Sequence, residues 1–152
     1  MKKFLAPDIT ADSAPYWQAL KRHVLQLQQC AACAGFRFPP LPSCPKCGAL
    51  GGQWVETSLH GRLCSWTEIF HPLDPRLKDE VPFVLVLVDL DAGPRVSARL
   101  VGADPQALRI GMRVTARFDD LDDELTILNF EPAAADALDA PPSTTTTTRR
   151  PA

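Results

Sequence analysis

Between residues 53 and 130 apolar positions recur mostly with a period of two, the spacing of strands with one buried face. A short run at 53–58 is followed by five principal runs, at 62–70, 83–90, 95–101, 113–118 and 125–130. Turn chemistry separates them: Pro72 and Pro75, then Gly93-Pro94, then Gly102 to Pro105, then the acidic stretch 119–124. A short helical turn is expected between the third and fourth runs, ending near Ile110. A sandwich would normally need about seven strands. Five strands with a helix in that place predict a small OB-fold barrel. The run 83–90 departs from strict alternation, because Phe83 to Val88 are six consecutive apolar residues. A small antiparallel barrel usually leaves one strand face wet. Either a helix of the same chain or a partner subunit must cover the outer face of this strand.

Upstream the period changes. Residues 14–23 read as a helix, with Ser13 placed to cap it, Pro15 in its first turn, and Tyr16, Trp17 and Leu20 on an apolar face. Leu25 and Leu27 then alternate with Gln26 and Gln28, a strand signal leading into Cys30. Residues 30–54 are rich in Cys, Pro and Gly and poor in large aliphatics, so this stretch needs a staple to fold. Beyond Glu131, Pro, Ala and five successive threonines replace any apolar period. The chain therefore divides into a leader and helix (1–23), a metal ribbon (24–58), an OB-fold (59–131) and a disordered tail (132–152).

Four of the five cysteines supply the staple: Cys30-Ala31-Ala32-Cys33 and Cys44-Pro45-Lys46-Cys47. Two Cys-x-x-Cys turns can set four thiolates tetrahedrally about one ion, and small residues after each pair (Ala34-Gly35 and Gly48) permit the tight turns. Zinc is expected, as one structural ion, since four thiolates leave no open position; tetrathiolate iron, as in a rubredoxin, is the alternative. Fifteen prolines argue against a long helical bundle. The odd cysteine count argues against a disulfide framework. A net charge of −2 argues against a general nucleic-acid binder. No apolar run is long enough to span a bilayer or serve as a secretory signal, so a cytoplasmic protein is expected.

The order of features is that of a known family. Tyr16-Trp17 precedes Leu27-Gln28-Gln29-Cys30-Ala31-Ala32-Cys33, Phe36-Arg37-Phe38-Pro39-Pro40 and Cys44-Pro45-Lys46-Cys47-Gly48. Trp54, Gly61, Ser65-Trp66-Thr67, Val81-Pro82-Phe83, Gly93-Pro94-Arg95-Val96 and Ile110-Gly111-Met112 follow. This set resembles the zinc-ribbon/OB-fold proteins known as domain of unknown function thirty-five, over roughly residues 13–132. The resemblance implies a rubredoxin-like zinc ribbon joined to an OB-fold. It implies a non-catalytic subunit that binds or channels an acyl-CoA thioester. The partner would be a thiolase, a thiolase-like aldolase of steroid side-chain breakdown, or a MaoC-type hydratase, and would carry the catalytic residues.

Candidate ligand-binding residues are Phe36, Arg37 and Phe38 between the cysteine pairs, and Arg95 and Arg99 on the polar face of a strand. Arginine forks suit CoA phosphates, but the preferred reading of these faces is a solvated strand exterior paired with the acids of 119–124. Arg113 and Arg117 share that ambiguity. Candidate partner-facing residues are Tyr16, Trp17, Val84 and Val86. His60, His71, Glu68 and Asp89 have no partner visible in the linear sequence, and Cys64 reads as a small packed residue. With no nucleophile elbow, phosphate loop or open-site metal motif, no enzyme is expected. A nucleic-acid-binding ribbon and barrel is the competing class; it lacks strand aromatics interleaved with basic residues.

Overall fold

The computed structural model describes residues 7–72 and 74–134. Residues 1–6 of the leader and 135–152 of the expected disordered tail therefore lie outside the described residues. Helix α1 spans Ala14–Leu20, and eight strands follow: β1 Gln26–Gln29, β2 Phe36–Arg37, β3 Gln53–Glu56, β4 His60–Ile69, β5 Phe83–Leu90, β6 Arg95–Leu100, β7 Arg113–Asp120 and β8 Thr126–Pro132. The first three form an antiparallel sheet in the order β2-β1-β3. The last five close into a barrel in the order β4-β5-β6-β8-β7, with β7 returning to β4. The expected OB-like barrel is present, closed by a parallel contact of Leu100 with Phe130. A single 3-10 turn, Pro105–Ala107, occupies the place of the expected helix.

Alternation places the core. Leu63, Val86, Val88, Val96, Val114 and Phe130 are all essentially inaccessible inside the barrel. Burying each such side chain contributes about 1.5–3 kcal/mol. Strand β4 serves two neighbours by bulging: Leu63 faces Val88 but Ser65 faces Leu87, which leaves Cys64 as the extra residue. Gly61 pairs with Leu90 of β5 and leaves no room for a side chain. A Cβ there would stand 2.6 Å from Val88 Cγ1 and 2.7 Å from the Asp89 carbonyl oxygen.

The ribbon does not carry its own core. Leu25 and Leu27 are fully buried in one cluster with Tyr16, Leu20 and the barrel residues, and Phe36, Phe38 and Trp54 pack against it. Helix α1 is the wedge between the parts, touching β1 and β8. It is shorter than the 14–23 expected. His23 takes φ +57°, and the amides of His23 and Val24 turn back to the carbonyls of Leu20 and Ala19. Ser13 does not cap the helix through its side chain; its hydroxyl bonds to Thr10 instead. Strand β2, two residues long, is too short to leave a period in the sequence.

Candidate functional site

The four paired cysteines come together on two matching turns. The Ala34 amide bonds to the Cys30 carbonyl at 2.9 Å and the Cys30 amide to the Gly35 carbonyl at 3.0 Å. In the second turn, Gly48 bonds to Cys44 and Cys44 to Ala49, both at 2.8 Å. Each turn needs one left-handed residue, supplied by Gly48 at φ +75° and by Ala34 at φ +56°. Glycine adopts this freely; alanine does so at a cost of about 1–2 kcal/mol.

The sulfurs of Cys30, Cys33, Cys44 and Cys47 all lie within 4.8 Å of one another. Cys30 and Cys47 are 3.6 Å apart and Cys33 and Cys44 3.7 Å apart. A tetrahedron with metal–sulfur bonds of about 2.3 Å has edges of about 3.8 Å, so this donor set fits one four-coordinate ion. The amides of Lys46 and Cys47 hold the Cys44 thiol down at about 6, and those of Cys33 and Ala32 lower Cys30. At Cys47 the Ala49 amide pulls the same way, but the crowding sulfurs of Cys30 and Cys33 prevail and push it up to about 11. Four thiolates this close cannot all ionise without a cation among them. An ion held here has no open position, so it would tie the two turns together rather than act on a substrate.

The residues between the cysteine pairs are structural in large part. Arg37, expected as a ligand contact, is only 3% exposed. Its Nε donates to Gln28 Oε1 at 2.9 Å, and one terminal nitrogen donates to the carbonyls of Leu41 and Gly51 at 3.0 and 2.8 Å. It joins β1 to the loops before and after the second cysteine pair. Burial removes it from ligand contact. Phe36 and Phe38 are half-buried, and Phe38 stands edge-on to Tyr16 with ring centroids 5.4 Å apart.

The outer face of β5 is uncovered among the described residues. Val84 and Val86, expected to offer a partner-facing position, both point into the barrel, at 7% and 0% exposure. Leu85 and Leu87 face out, at 36% and 38%. Tyr16 is likewise buried at 6% and cannot meet a partner, whereas Trp17 is half-buried. Beside Leu85 a shallow cavity of about 310 Å³ is bounded by Leu77, Phe83, Ala98 and Ile127. The parity was readable: Asp89 shares the face of Leu85 and Leu87, and a barrel interior would not take a lone carboxylate.

The arginines of β6 and β7 are paired. Arg95 holds Asp89 through two bonds of 2.7 and 3.0 Å, and Arg117 reaches Asp119 and Glu131. Arg99 bonds to Glu80 at 2.7 Å and lies 4.0 Å over the Phe83 ring. Arg113 is buried and holds Asp91. His60, His71, Glu68 and Asp89 are not gathered into any common site: Glu68 and His71 are exposed, and Asp89 belongs to Arg95. Cys64 is half-buried at the bulge. No helix of the described residues is long and apolar enough to cross a membrane.

Both halves match known families. Residues 17–51 match the rubredoxin-like zinc ribbon domain of ChsH2, and residues 54–119 match the ChsH2 C-terminal OB-fold domain. The chain is 39% identical over 127 residues to a probable enoyl-CoA hydratase alpha subunit of Thermomonospora curvata, covering 84% of this chain and 39% of that protein. The chain thus spans about two fifths of that relative's length. It is 32% identical over 105 residues to a DUF35 domain-containing scaffold protein of Methanothermobacter thermautotrophicus, covering 68% of this chain and 78% of the relative. Among solved structures, a chain of the Ltp2-ChsH2(DUF35) aldolase superposes with a TM-score of 0.76 at 39% identity, over 85% of this chain and 100% of that one. The paired-cysteine ribbon, the five-stranded barrel and these relatives converge: the chain belongs to the DUF35 family of zinc-ribbon/OB-fold proteins.

Proposed function

We propose that this chain is a non-catalytic assembly subunit of an acyl-CoA enzyme, a thiolase-like aldolase or a MaoC-type hydratase, with the catalytic residues on the partner. The observation that carries the reading is the superposition on a chain of the Ltp2-ChsH2(DUF35) aldolase, at 39% identity over 85% of this chain and 100% of that one. A relative named as a hydratase alpha subunit and another named as a scaffold protein support the same class. The chemistry of the chain agrees with it. Its metal-ligand set is closed, and its paired acids and arginines are tied to one another rather than poised around a substrate.

The partner would seat on the outer face of β5, where Leu85 and Leu87 project beside Phe83 and the apolar cavity at Leu77, Ala98 and Ile127. Apolar side chains clustered on an otherwise polar strand exterior are a common interaction signature. Arg95, Arg99 and the half-buried Phe36 and Phe38 are the remaining candidates for contact with the acyl-CoA in such a complex. Co-expression with aldolase or hydratase genes from the same host, followed by size exclusion and an acyl-CoA assay, tests the reading. A stable hetero-oligomer with activity absent from the isolated chain is expected. Turnover of an acyl-CoA by the isolated chain, or a chain that stays alone with every such enzyme, overturns it.

A further inference from the structure

Away from the metal centre and the β5 face, one end of the barrel gathers arginines in an arrangement that the assembly role does not explain. Arg62 on β4 and Arg113 on β7 are direct cross-strand partners. Like charges so placed repel each other. Arg109, in the loop leading into β7, joins them, and all three line one cleft of about 490 Å³.

Their commitments are incomplete. Arg113 has a side chain only 7% exposed and gives both terminal nitrogens to Asp91, at 2.7 and 3.0 Å. Its Nε is buried without a hydrogen-bond partner. Arg62 makes one long bond, 3.2 Å, from a terminal nitrogen to the Gly111 carbonyl. Arg109 is exposed and has no side-chain hydrogen bond or ion pair among the described residues. The carboxylate opposite Arg62 on β5, Asp89, is already taken by Arg95. Among the described residues, the three cleft arginines Arg62, Arg109 and Arg113 thus have one carboxylate, Asp91, not committed elsewhere, an excess of two positive charges.

We propose that this cleft binds the diphosphate group of a soluble phosphate ester, of the nucleoside diphosphate class. Planar guanidinium forks match phosphate oxygens in geometry and charge. Asp91, held by Arg113 and also felt by Arg62, offsets part of the repulsion across β4 and β7; a diphosphate placed between Arg62 and Arg109 supplies the anionic charge that this one carboxylate does not. The cleft is roomier than a lone phosphate requires and lies in the range of small-molecule sites, about 300–1,000 Å³. Ile110, 77% exposed, and Met112 give its rim an apolar ledge for the organic part of the ligand.

The test is a titration of the isotope-labelled, zinc-loaded full chain with sodium pyrophosphate and separately with ADP, followed by amide shifts. Saturable shifts should centre on Arg62 and on residues 109–113 and weaken as salt is raised. The Arg62→Glu/Arg109→Glu double variant should bind both ligands at least about tenfold more weakly, with its zinc content unchanged. Arg117→Glu, on an exposed arginine outside the cleft, should change the affinity by less than about twofold. The proposal is overturned if the wild type shows no saturable shift up to about 10 mM ligand. It is equally overturned if the double variant binds normally or if Arg117→Glu loses as much. Phosphatidic-acid vesicles form a separate arm: they should not bind, and capture through Arg62 and Arg109 would replace the soluble ligand with a lipid headgroup.

Discussion

Replacing Arg37 by Met separates a structural arginine from a ligand-binding one. The side chain makes three hydrogen bonds, to Gln28 Oε1 and the carbonyls of Leu41 and Gly51, from a position only 3% exposed. Bonds to a charged group are worth about 1.5–3 kcal/mol each, but removal also relieves the desolvated guanidinium. Leu41 and Gly51 are themselves exposed, so water can reach their carbonyls once the arginine is gone. The net cost is therefore well under the sum, about 2–4 kcal/mol. Metal binding and ribbon folding are one equilibrium where the ribbon has little core of its own. At about 1.4 kcal/mol per decade, the apparent zinc affinity should fall by roughly 30- to 1,000-fold. Competition with a chromophoric chelator reads this directly. Arg37→Lys should recover little, because one ammonium cannot span the three acceptors. If Arg37→Met holds zinc within about threefold of wild type while binding of an acyl-CoA is lost, the structural assignment is wrong.

Other outcomes follow from the same geometry. Cys44→Ser should lose the bound zinc and much of the soluble yield, whereas Cys64→Ser at the β4 bulge should keep full zinc by elemental analysis. Ala34→Gly should raise the thermal midpoint, by about 1 kcal/mol of stability, because it relieves a left-handed alanine. The opposite sign would mean that unfolded-chain entropy outweighs the strain. Gly61→Ala should destabilise the barrel by about 1–3 kcal/mol in chemical denaturation, since its Cβ meets Val88 and the Asp89 backbone.

The barrel was largely legible because each of its five strands is long enough to express a period. The run 83–90 coincides with β5, and the others differ from β4, β6, β7 and β8 by one or two residues at most ends. The metal centre was legible because four cysteines at fixed short spacing state their own chemistry. Shorter features escaped. Strand β2 is defined by pairing with β1, which two residues cannot announce. The early end of α1 depends on a left-handed His23, a conformation no local pattern signals. Side-chain direction was the larger gap. In six consecutive apolar residues either parity is plausible until Asp89 is used to fix the outward face, which then gives Leu85 and Leu87 rather than Val84 and Val86. Arg37 reads as a ligand residue from its place beside Phe36 and Phe38 between the cysteine pairs; only the three-dimensional meeting of Gln28, Leu41 and Gly51 shows why it is inside.

The most direct measurement of the central claim is a pull-down of aldolase and hydratase candidates from the native host by the zinc-loaded chain, with wild type and Leu85→Asp/Leu87→Asp in parallel. The wild type should bring down one such enzyme in stoichiometric amount, and the acyl-CoA activity should reside in the complex. The double variant should retain zinc and lose the enzyme, because both side chains stand on the barrel exterior and not in its core. Capture of the same enzyme by both proteins would contradict the β5 face as the interface. Capture of no acyl-CoA enzyme by the wild type would contradict the assembly role itself.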